Sequence, residues 1–155
     1  MINLQVRKHT AKLTPADAME TFFHLSLDLF CVGGGDGYFG MANPAWEKVL
    51  GWTTAQLRER PWIEFVHPED VEASLRADSL CEQQDIVGFE NRYRHKDGSY
   101  RWLSWNMWQC HNGCRYAIAK DITEQKTIET ELSLLRSLTT AINDAPDLNS
   151  ALEVT

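Results

Sequence analysis

Residues 89–103 read FENRYRHKDGSYRWL, two runs of alternating side chains on either side of a KDGS turn. Alternation with a period of two predicts antiparallel strands, because successive strand side chains point to opposite faces of a sheet. Working outward, IVGFENRYR (86–94) completes the first strand and YRWLSWNMWQC (100–110) completes the second. After HNG, the run CRYAIAKDI (114–122) predicts a third strand beside them.

The first half of the chain combines a second hairpin with short helices. DLFCV (28–32) and YFGMAN (38–43) flank the turn residues GGGDG, as two short strands would. Three helices are expected between the hairpins, starting at Asn43-Pro44, at the capping box of Thr53 and Gln56, and at HPED (67–70), the last running to about Gln83. We therefore predict an α+β fold in which small helices cover one face of a five-stranded antiparallel sheet.

A further helix is expected on each side of this core. Pro15 is typical of a first helical turn, and Met19, Phe22 and Phe23 form an apolar stripe behind it. From Glu124 the pattern becomes helical again. Side chains then recur at intervals of 4, 3, 4 and 3 residues, the spacing of a coiled-coil seam formed by Ile128, Leu132, Leu135, Thr139 and Ile142.

The composition limits the classes of function. The net charge is 15 − 22 = −7, whereas binding to nucleic acid requires a basic surface. No apolar run approaches the length of a membrane span, and the first residues lack the core of a signal peptide. Four cysteines are too few for a disulfide scaffold. We expect a cytoplasmic chain with reduced thiols that binds no nucleic acid and has no membrane span.

Four stretches, taken in order, resemble a PAS domain followed by its PAC segment. They are NPAWEKVLGWT (43–53), WIEFVHPED (62–70), FENRYRHKDGSYRWL (89–103) and AKDITEQK (119–126). The resemblance extends over roughly residues 15–126. It implies a sensory or protein-interaction module of a larger signalling protein, such as a bacterial histidine kinase of a two-component system. It also implies that the helix after the DIT motif is a linker to an output domain.

The chain is divided accordingly into four parts. We expect an N-terminal arm at 1–13, the PAS and PAC region at 14–123, an amphipathic signalling helix at 124–143, and the start of a following domain at 144–155 that resembles the first helix of a GAF domain. The seam favours a parallel homodimer, and the resemblance implies a downstream signalling domain in the same chain as the other partner. No catalytic arrangement is recognisable, so this part of the protein is not expected to be an enzyme, even if the full-length protein is a kinase.

One face of the predicted sheet is apolar enough to enclose a chamber. The charges of Glu90, Arg92 and Arg94 belong in water, so the residues between them point toward the helices. The PAS-like register adds residues of the next two strands, and the chamber candidates are Phe89, Asn91, Tyr93, Leu103, Trp105, Met107, Ala117 and Ala119. Two interpretations stay open. A small-molecule ligand bonds to the buried polar groups, or bulky side chains fill the chamber and those groups bond to loop and helix backbone.

The opposite face carries aromatic side chains that need a cover or a partner. Trp102 and Trp108 point outward and Tyr116 is expected near them, an apolar patch that is unusual on a monomer. The candidates for covering it are the N-terminal stripe, with Phe22 and Phe23, and a partner chain. These five residues are the predicted interaction residues of the outer face.

Haem and flavin are not expected as cofactors. The resemblance implies that a haem ligand would come from the helix that begins at HPED, and residues 69–83 contain no histidine. His67 is better explained by the start of that helix. The light-sensing branch of the family places its cysteine in Asn-Cys-Arg, whereas Cys81 lies in SLCEQ. The GGGDG run lacks the Gly-Lys-Ser/Thr ending of a phosphate-binding loop and predicts a turn.

QCHNGC at 109–114 is the tip of the last predicted hairpin. Cys110, His111 and Cys114 give at most three ligands, so no metal site is expected. A two-residue turn would pair His111 with Cys114, whereas a three-residue loop with Gly113 in the left-handed region would pair the two cysteines. We favour the loop because it keeps the inner-face residues together. A reversible disulfide between Cys110 and Cys114 is then open, with reduced thiols as the alternative.

Asp121 and Thr123 belong to the DIT motif between the last strand and the final helix, and they are the predicted signal-relay residues. The carboxylate of Asp121 has two uses there. It caps the helix N-terminus, or it pairs with a base such as Arg115, Lys120 or Lys126. The resemblance implies that this junction couples the core of the domain to its output.

Overall fold

The structure is a computed structural model that describes residues 14–109 and 113–144. Its strands are β1 (Leu29–Gly33), β2 (Phe39–Ala42), β3 (Ile86–Arg94), β4 (Tyr100–Gln109) and β5 (Arg115–Asp121). Its helices are α1 (Pro15–Leu25), α2 (Ala45–Leu50), α3 (Thr54–Arg58), α4 (Val71–Leu80) and α5 (Thr123–Asp144), with short 3-10 helices at Trp62–Phe65 and Pro68–Asp70. The expected N-terminal arm and the expected GAF-like start after residue 144 lie outside the described residues.

The five strands form one antiparallel sheet in the order β2-β1-β5-β4-β3. β5, the last strand in sequence, therefore lies in the middle, between the two hairpins. Trp105 pairs with Ala119 and Met107 with Ala117, which aligns the inner-face residues of β4 and β5. The predicted fold class, an α+β fold with a five-stranded antiparallel sheet, is confirmed.

Local sequence signals set most helix boundaries. Thr14 and Asp17 form a capping box that starts α1 at Pro15, and Thr53 and Gln56 form the predicted one before α3. Gly51 ends α2 with φ +76°, in the left-handed region that glycine adopts without strain.

The helix expected from HPED to about Gln83 differs from the prediction. It is divided into the 3-10 helix Pro68–Asp70 and α4, and it ends at Leu80. Gln83 and Gln84 both donate their N–H to the carbonyl of Leu80, which closes a turn there instead of extending the helix.

The core lies between the inner face of the sheet and the short helices. Trp46 of α2 is fully buried, and its ring lies 4.9 Å from that of Phe39 and 6.0 Å from those of Tyr93 and Trp105. Its indole N–H donates to the carbonyl of Phe30 at 3.0 Å. Burial of such a side chain contributes about 1.5–3 kcal/mol, and the satisfied N–H removes the penalty for burying a polar group.

β3 contains a bulge that the alternating pattern did not predict. The register with β4 shifts between Val87 and Phe89, where Gly88 has φ +71° and donates its N–H to Asn106 Oδ1 at 3.0 Å. One extra residue reverses the alternation. Ile86 therefore pairs opposite Met107, while Val87 is 77% exposed.

The N-terminal helix does not cover the outer aromatic face, so that part of the prediction is wrong. Met19 and Phe22 are 70% and 71% exposed. Only Phe23 packs against the sheet, with its ring 6.2 Å from that of Phe30. Asn43 fixes the end of α1, because its amide donates to the carbonyl of Phe23 at 3.1 Å. The helix docks at the β1 side through these few contacts, which leave its apolar stripe in solvent.

Candidate functional site

A cavity of about 70 Å³ lies between the inner face of the sheet and α4. Six of the eight predicted chamber residues line it: Phe89, Asn91, Tyr93, Trp105, Met107 and Ala117. Leu103 and Ala119 lie on the same face but are fully buried within the core, away from the cavity wall. The alternating pattern therefore assigned these residues to the correct face of the sheet. Their position along each strand decided which of them line the cavity.

The rest of the wall comes from parts of the chain that the sequence reasoning did not consider. Ser74 and Asp78 face the cavity from α4, Arg115 from the start of β5, and Cys31 from β1. Ser74 and Asp78 are four residues apart, a spacing that puts both on one face of a helix. That spacing could have predicted that both residues face the cavity. By contrast, no feature of the neighbouring sequence identifies Arg115 or Cys31 as a wall residue.

The polar groups at the inner end of the chamber bond to one another. Trp105 Nε1 donates to Asn91 Oδ1 at 2.7 Å, and Asn91 Nδ2 donates to Ser74 Oγ at 2.9 Å. Ser74 Oγ in turn donates to the carbonyl of Asp70 at 2.8 Å. Because an indole N–H can only donate, this chain fixes the orientation of the Asn91 amide. Asn91 therefore bonds to two side chains, and not to loop or helix backbone as one interpretation expected.

Arg115 Nε is buried and has no hydrogen-bond partner among the described residues, and Tyr93 also differs from Asn91 and Ser74. Its ring packs 5.2 Å from Trp105, and the residue is 3% exposed. Within residues 14–109 and 113–144, no hydrogen bond involves its hydroxyl. Burial, together with the nearby Cys31 and Asp78, holds the pKa of the hydroxyl well above its ordinary value. The side chain therefore presents a neutral hydroxyl, a hydrogen-bond donor, to the cavity.

An ion pair stands beside the aromatic wall. Arg115 lies 3.0 Å from the carboxylate of Asp78 and 2.8 Å from that of Glu82. Burial raises the pKa of Asp78, and Arg115 opposes that shift. Burial also raises the pKa of the Cys31 thiol to about 12, so Cys31 stays protonated and is a poor nucleophile.

Trp102, on the outer face, is covered by charged side chains instead of α1. The guanidinium of Arg92 lies 5.2 Å from the centre of the Trp102 ring, and the ammonium of Lys126 lies 5.4 Å from it. Arg92 is held by Asp70, through bonds of 2.7 and 2.9 Å, and Lys126 pairs with Glu90. Cation–π contacts thus connect the Asp70 turn to the first turns of α5.

The remaining outer-face residues are not brought together with α1. Trp108 is half-buried and pairs with Tyr116 across β4 and β5, and Tyr116 is 39% exposed. Phe22 is exposed, so among the described residues α1 leaves this patch uncovered. The stripe of α1 and the Trp108–Tyr116 pair are therefore separate surfaces.

The DIT junction uses Asp121 as a helix cap. Its Oδ1 accepts from the N–H of Thr123 at 2.9 Å and from the Thr123 hydroxyl at 2.6 Å. The Thr123 hydroxyl oxygen accepts from the N–H of Trp102 at 2.9 Å. Within the described part of the chain Asp121 forms no ion pair, since Lys126 pairs with Glu90 and Arg115 pairs with Asp78 and Glu82. Of the two uses considered for Asp121, the structure has the cap.

The predicted seam lies on one side of α5 and is open to solvent. Four of its five members are large apolar residues that are 48–74% exposed: Ile128, Leu132, Leu135 and Ile142. Thr139 is exposed as well. Leu134 and Leu138, 60% and 59% exposed, extend the apolar surface to one side.

The remaining candidates concern metals and the hairpin tip. No group of three or more potential metal ligands occurs in the described ranges. His67 Nδ1 accepts from the N–H of Glu69 at 3.2 Å, as a residue at a helix start does. Gln109 pairs with Arg115 and Gly113 has φ +75°, the register and conformation expected of the three-residue loop. Cys110 lies outside the described residues, and so does the choice between a reversible disulfide with Cys114 and reduced thiols.

None of the described helices is long and apolar enough to cross a membrane.

Comparison with known proteins identifies the fold. Residues 41–109 match a family described as the PAS fold. No curated protein matches the chain. The PAS domain of a Colwellia psychrerythraea protein is similar in structure, with a TM-score of 0.63, 24% identity, and coverage of 70% of this chain and 98% of that one.

Two further solved structures extend the comparison. The PAS domain of an HTR-like protein from Haloarcula marismortui has a TM-score of 0.55 and 26% identity, covering 69% of this chain and 91% of that one. A sensory box histidine kinase/response regulator from Burkholderia thailandensis has a TM-score of 0.59 and 19% identity, covering 79% and 98%. The family match over residues 41–109, together with the sheet order and the enclosing helices, shows that this chain has the PAS fold.

Proposed function

We propose that this PAS domain is a sensory or regulatory module that dimerises and relays a signal through α5 to a downstream domain of the same chain. The observation that carries the proposal is the seam of α5, which has coiled-coil spacing and whose large apolar side chains are 48–74% exposed. Similar structures include parts of sensor histidine kinases, which agrees with a signalling role.

Dimerisation is supported by the unfavourable free energy of exposing the apolar seam to water. Apolar side chains along 22 residues of helix gain free energy when they pack against a second copy. About two and a half heptads are marginal as an isolated coiled coil, so the seam would need support from the core or from a downstream domain. A parallel pair of helices would carry a change of register or crossing angle toward the output.

A chain of contacts supports a relay from the chamber to α5. It starts with the Trp105–Asn91–Ser74 hydrogen bonds and reaches Asp70, whose carboxylate holds Arg92. Arg92 lies over Trp102, and Trp102 contacts Lys126 and Thr123 at the beginning of α5. For this chain to act as a relay, the chamber must favour one of two arrangements of these residues, and each arrangement must favour a different position of α5.

Sedimentation of wild type and two charge variants tests the dimer. Leu135→Glu puts a carboxylate in the seam, whereas Ser137→Glu puts the same charge on the opposite side of α5. We expect the first variant to weaken dimerisation at least tenfold and the second to leave it unchanged, because like charges facing each other in a coiled coil are destabilising. A monomeric wild type, or equal dimerisation of both variants, would contradict the proposal.

A second candidate function is favoured by the chamber. Its volume of about 70 Å³ is well below the 300–1,000 Å³ of pockets for drug-sized ligands, and it contains the Tyr93 hydroxyl, which no described residue bonds. We infer a ligand-binding sensor for a small metabolite, and not for haem or flavin. An absorbance spectrum of freshly purified protein tests the exclusion. A Soret or flavin band would overturn it.

A third candidate is an interaction domain that works without a ligand. The half-buried Trp108 and the 39%-exposed Tyr116 form an outer apolar patch that α1 leaves open. Trp108→Ala that leaves partner binding and self-association unchanged would remove this candidate.

A further inference from the structure

We propose that the chamber takes a small, uncharged, mainly apolar molecule with an oxygen that accepts a hydrogen bond from Tyr93, such as a short ketone, aldehyde or alcohol. This inference deepens the ligand-sensing form of the proposed function and rests on it. It follows from three properties of the wall: its unused hydrogen-bonding groups, its charge and its size.

The hydrogen-bonding groups at the inner end of the wall are engaged by protein. The Asn91 amide bonds to Trp105 and Ser74, and the Ser74 hydroxyl bonds to the Asp70 carbonyl. The hydroxyls of Tyr93 and Tyr38 have no bond to any described residue, and of these two wall residues Tyr93 is buried whereas Tyr38 is 39% exposed. An occupant whose oxygen accepts the proton of the Tyr93 hydroxyl gains a hydrogen bond within the wall and is stabilised by it. The matching group is a carbonyl or hydroxyl oxygen.

The charges of the wall argue against an anionic ligand. Arg115 uses one terminal nitrogen for Asp78 and the other for Glu82, so one cation faces two carboxylates. This cluster leaves no positive charge to compensate an anion that enters from water. Moving an unpaired charge into an apolar site is far more costly than moving a neutral group of the same size. An uncharged molecule is therefore preferred over its anionic analogue.

The size and the walls define the rest of the molecule. The cavity holds about 70 Å³, and aromatic rings from Phe39, Trp62, Phe89 and Trp105 form much of its surface. For comparison, an apolar cavity of about 150 Å³ accommodates benzene. A molecule of about four to six heavy atoms fits this volume, and with so few atoms its affinity is expected in the millimolar range.

Titrations followed by NMR on the ¹⁵N-labelled chain test the inference. The probes are butan-2-one and propanoate, which have the same number of heavy atoms and differ in charge. The indole N–H of Trp105 is a direct reporter, because it lies in the wall and bonds to Asn91. We expect saturable shifts of this signal with butan-2-one and affinity at least tenfold weaker for propanoate. Equal binding of both probes, or no saturable shift, would overturn the inference.

Two variants separate the contribution of the Tyr93 hydroxyl to binding from the contribution of the cavity volume. Tyr93→Phe removes the donor and should weaken butan-2-one roughly three- to tenfold, the effect of one hydrogen bond. Ala117→Leu fills the cavity, keeps Tyr93 and should abolish binding. Undiminished affinity in either variant refutes the assignment. Sedimentation of the same samples reports on the α5 dimer, so a dimer that binds no probe would refute the ligand class and leave the relay proposal standing.

Discussion

The two faces of the β3–β4 hairpin use neighbouring residues for opposite purposes. On the inner face, Asn91 joins Trp105 to α4 through hydrogen bonds that are closed to solvent. On the outer face, the next residue, Arg92, joins Asp70 to Trp102 through an ion pair and a cation–π contact that water reaches. Buried hydrogen bonds are costly to break, whereas exposed charge contacts are weak and reversible. The inner face therefore fixes the fold, and the contacts of the outer face can rearrange at low cost.

The largest expected contrast is between the two tryptophans on opposite faces of β4. Trp105→Ala removes a buried ring and leaves Asn91 Oδ1 without its donor, so it should lower the free energy of unfolding by about 3–5 kcal/mol. Trp108→Ala removes a half-buried ring and should cost below about 1 kcal/mol. Urea unfolding of both variants measures the contrast. Equal losses would show that the outer face is as important for stability as the inner one.

A second contrast compares two asparagines. Asn91→Ala leaves the indole N–H of Trp105 buried without an acceptor and should cost about 2 kcal/mol. Asn106→Ala removes the acceptor for the Gly88 N–H in the bulge, where solvent can replace it, and should cost about 0.5 kcal/mol. Chemical denaturation compares the two. A larger loss for Asn106→Ala would mean that the bulge, and not the chamber network, fixes the hairpin.

The acid Asp70 adds a dependence on pH. Its hydrogen bonds with Arg92 hold the pKa of the carboxyl below its ordinary value of 3.8. Because the folded-state pKa is depressed, the stabilisation is complete above pH 3.8 and is lost as the pH falls through the folded-state pKa. At pH 7, Asp70→Asn should cost about 1–2 kcal/mol. Unfolding curves below pH 3.8 should bring wild type and variant together, and a constant difference would exclude this role.

The smallest effect concerns the start of α5. Lys126→Met removes the ion pair with Glu90 and the contact with Trp102, and should cost about 0.5–1 kcal/mol. Amide exchange in the first turns of α5 should become several times faster, because local opening becomes easier. Lys120→Met, at an exposed position of β5, is the matched control. Identical exchange in both variants would remove Lys126 from the relay.

Sequence signals with a short range predicted much of this fold. The capping box before α3 and the left-handed Gly51 are decided by residues close in the chain, and the structure confirms both. The period of two also separated the faces of β3 and β4 correctly near the chamber. It failed at Gly88, where the glycine itself was the signal of a bulge that the alternating interpretation passed over.

The candidate site was less predictable than the fold. Asn91 and Tyr93 reach the cavity as expected, but their hydrogen bonding differs because Ser74 arrives from α4. The stripe of Met19, Phe22 and Phe23 gave no information about where α1 would dock. An apolar stripe indicates that a helix packs against another surface, but it does not indicate which surface that is.

The sequence by itself determined the order of strands and helices, the faces of the sheet and the PAS resemblance, because these depend on periodicity and on contacts between near neighbours. Only the tertiary structure decided that Trp102 is covered by Arg92 and Lys126, that Asn91 is satisfied by Trp105 and Ser74, and that no described residue bonds to the Tyr93 hydroxyl. Such pairings join residues far apart in the chain. Packing geometry selects one contact partner among many that are chemically equivalent. A local sequence pattern therefore cannot predict which partner it is.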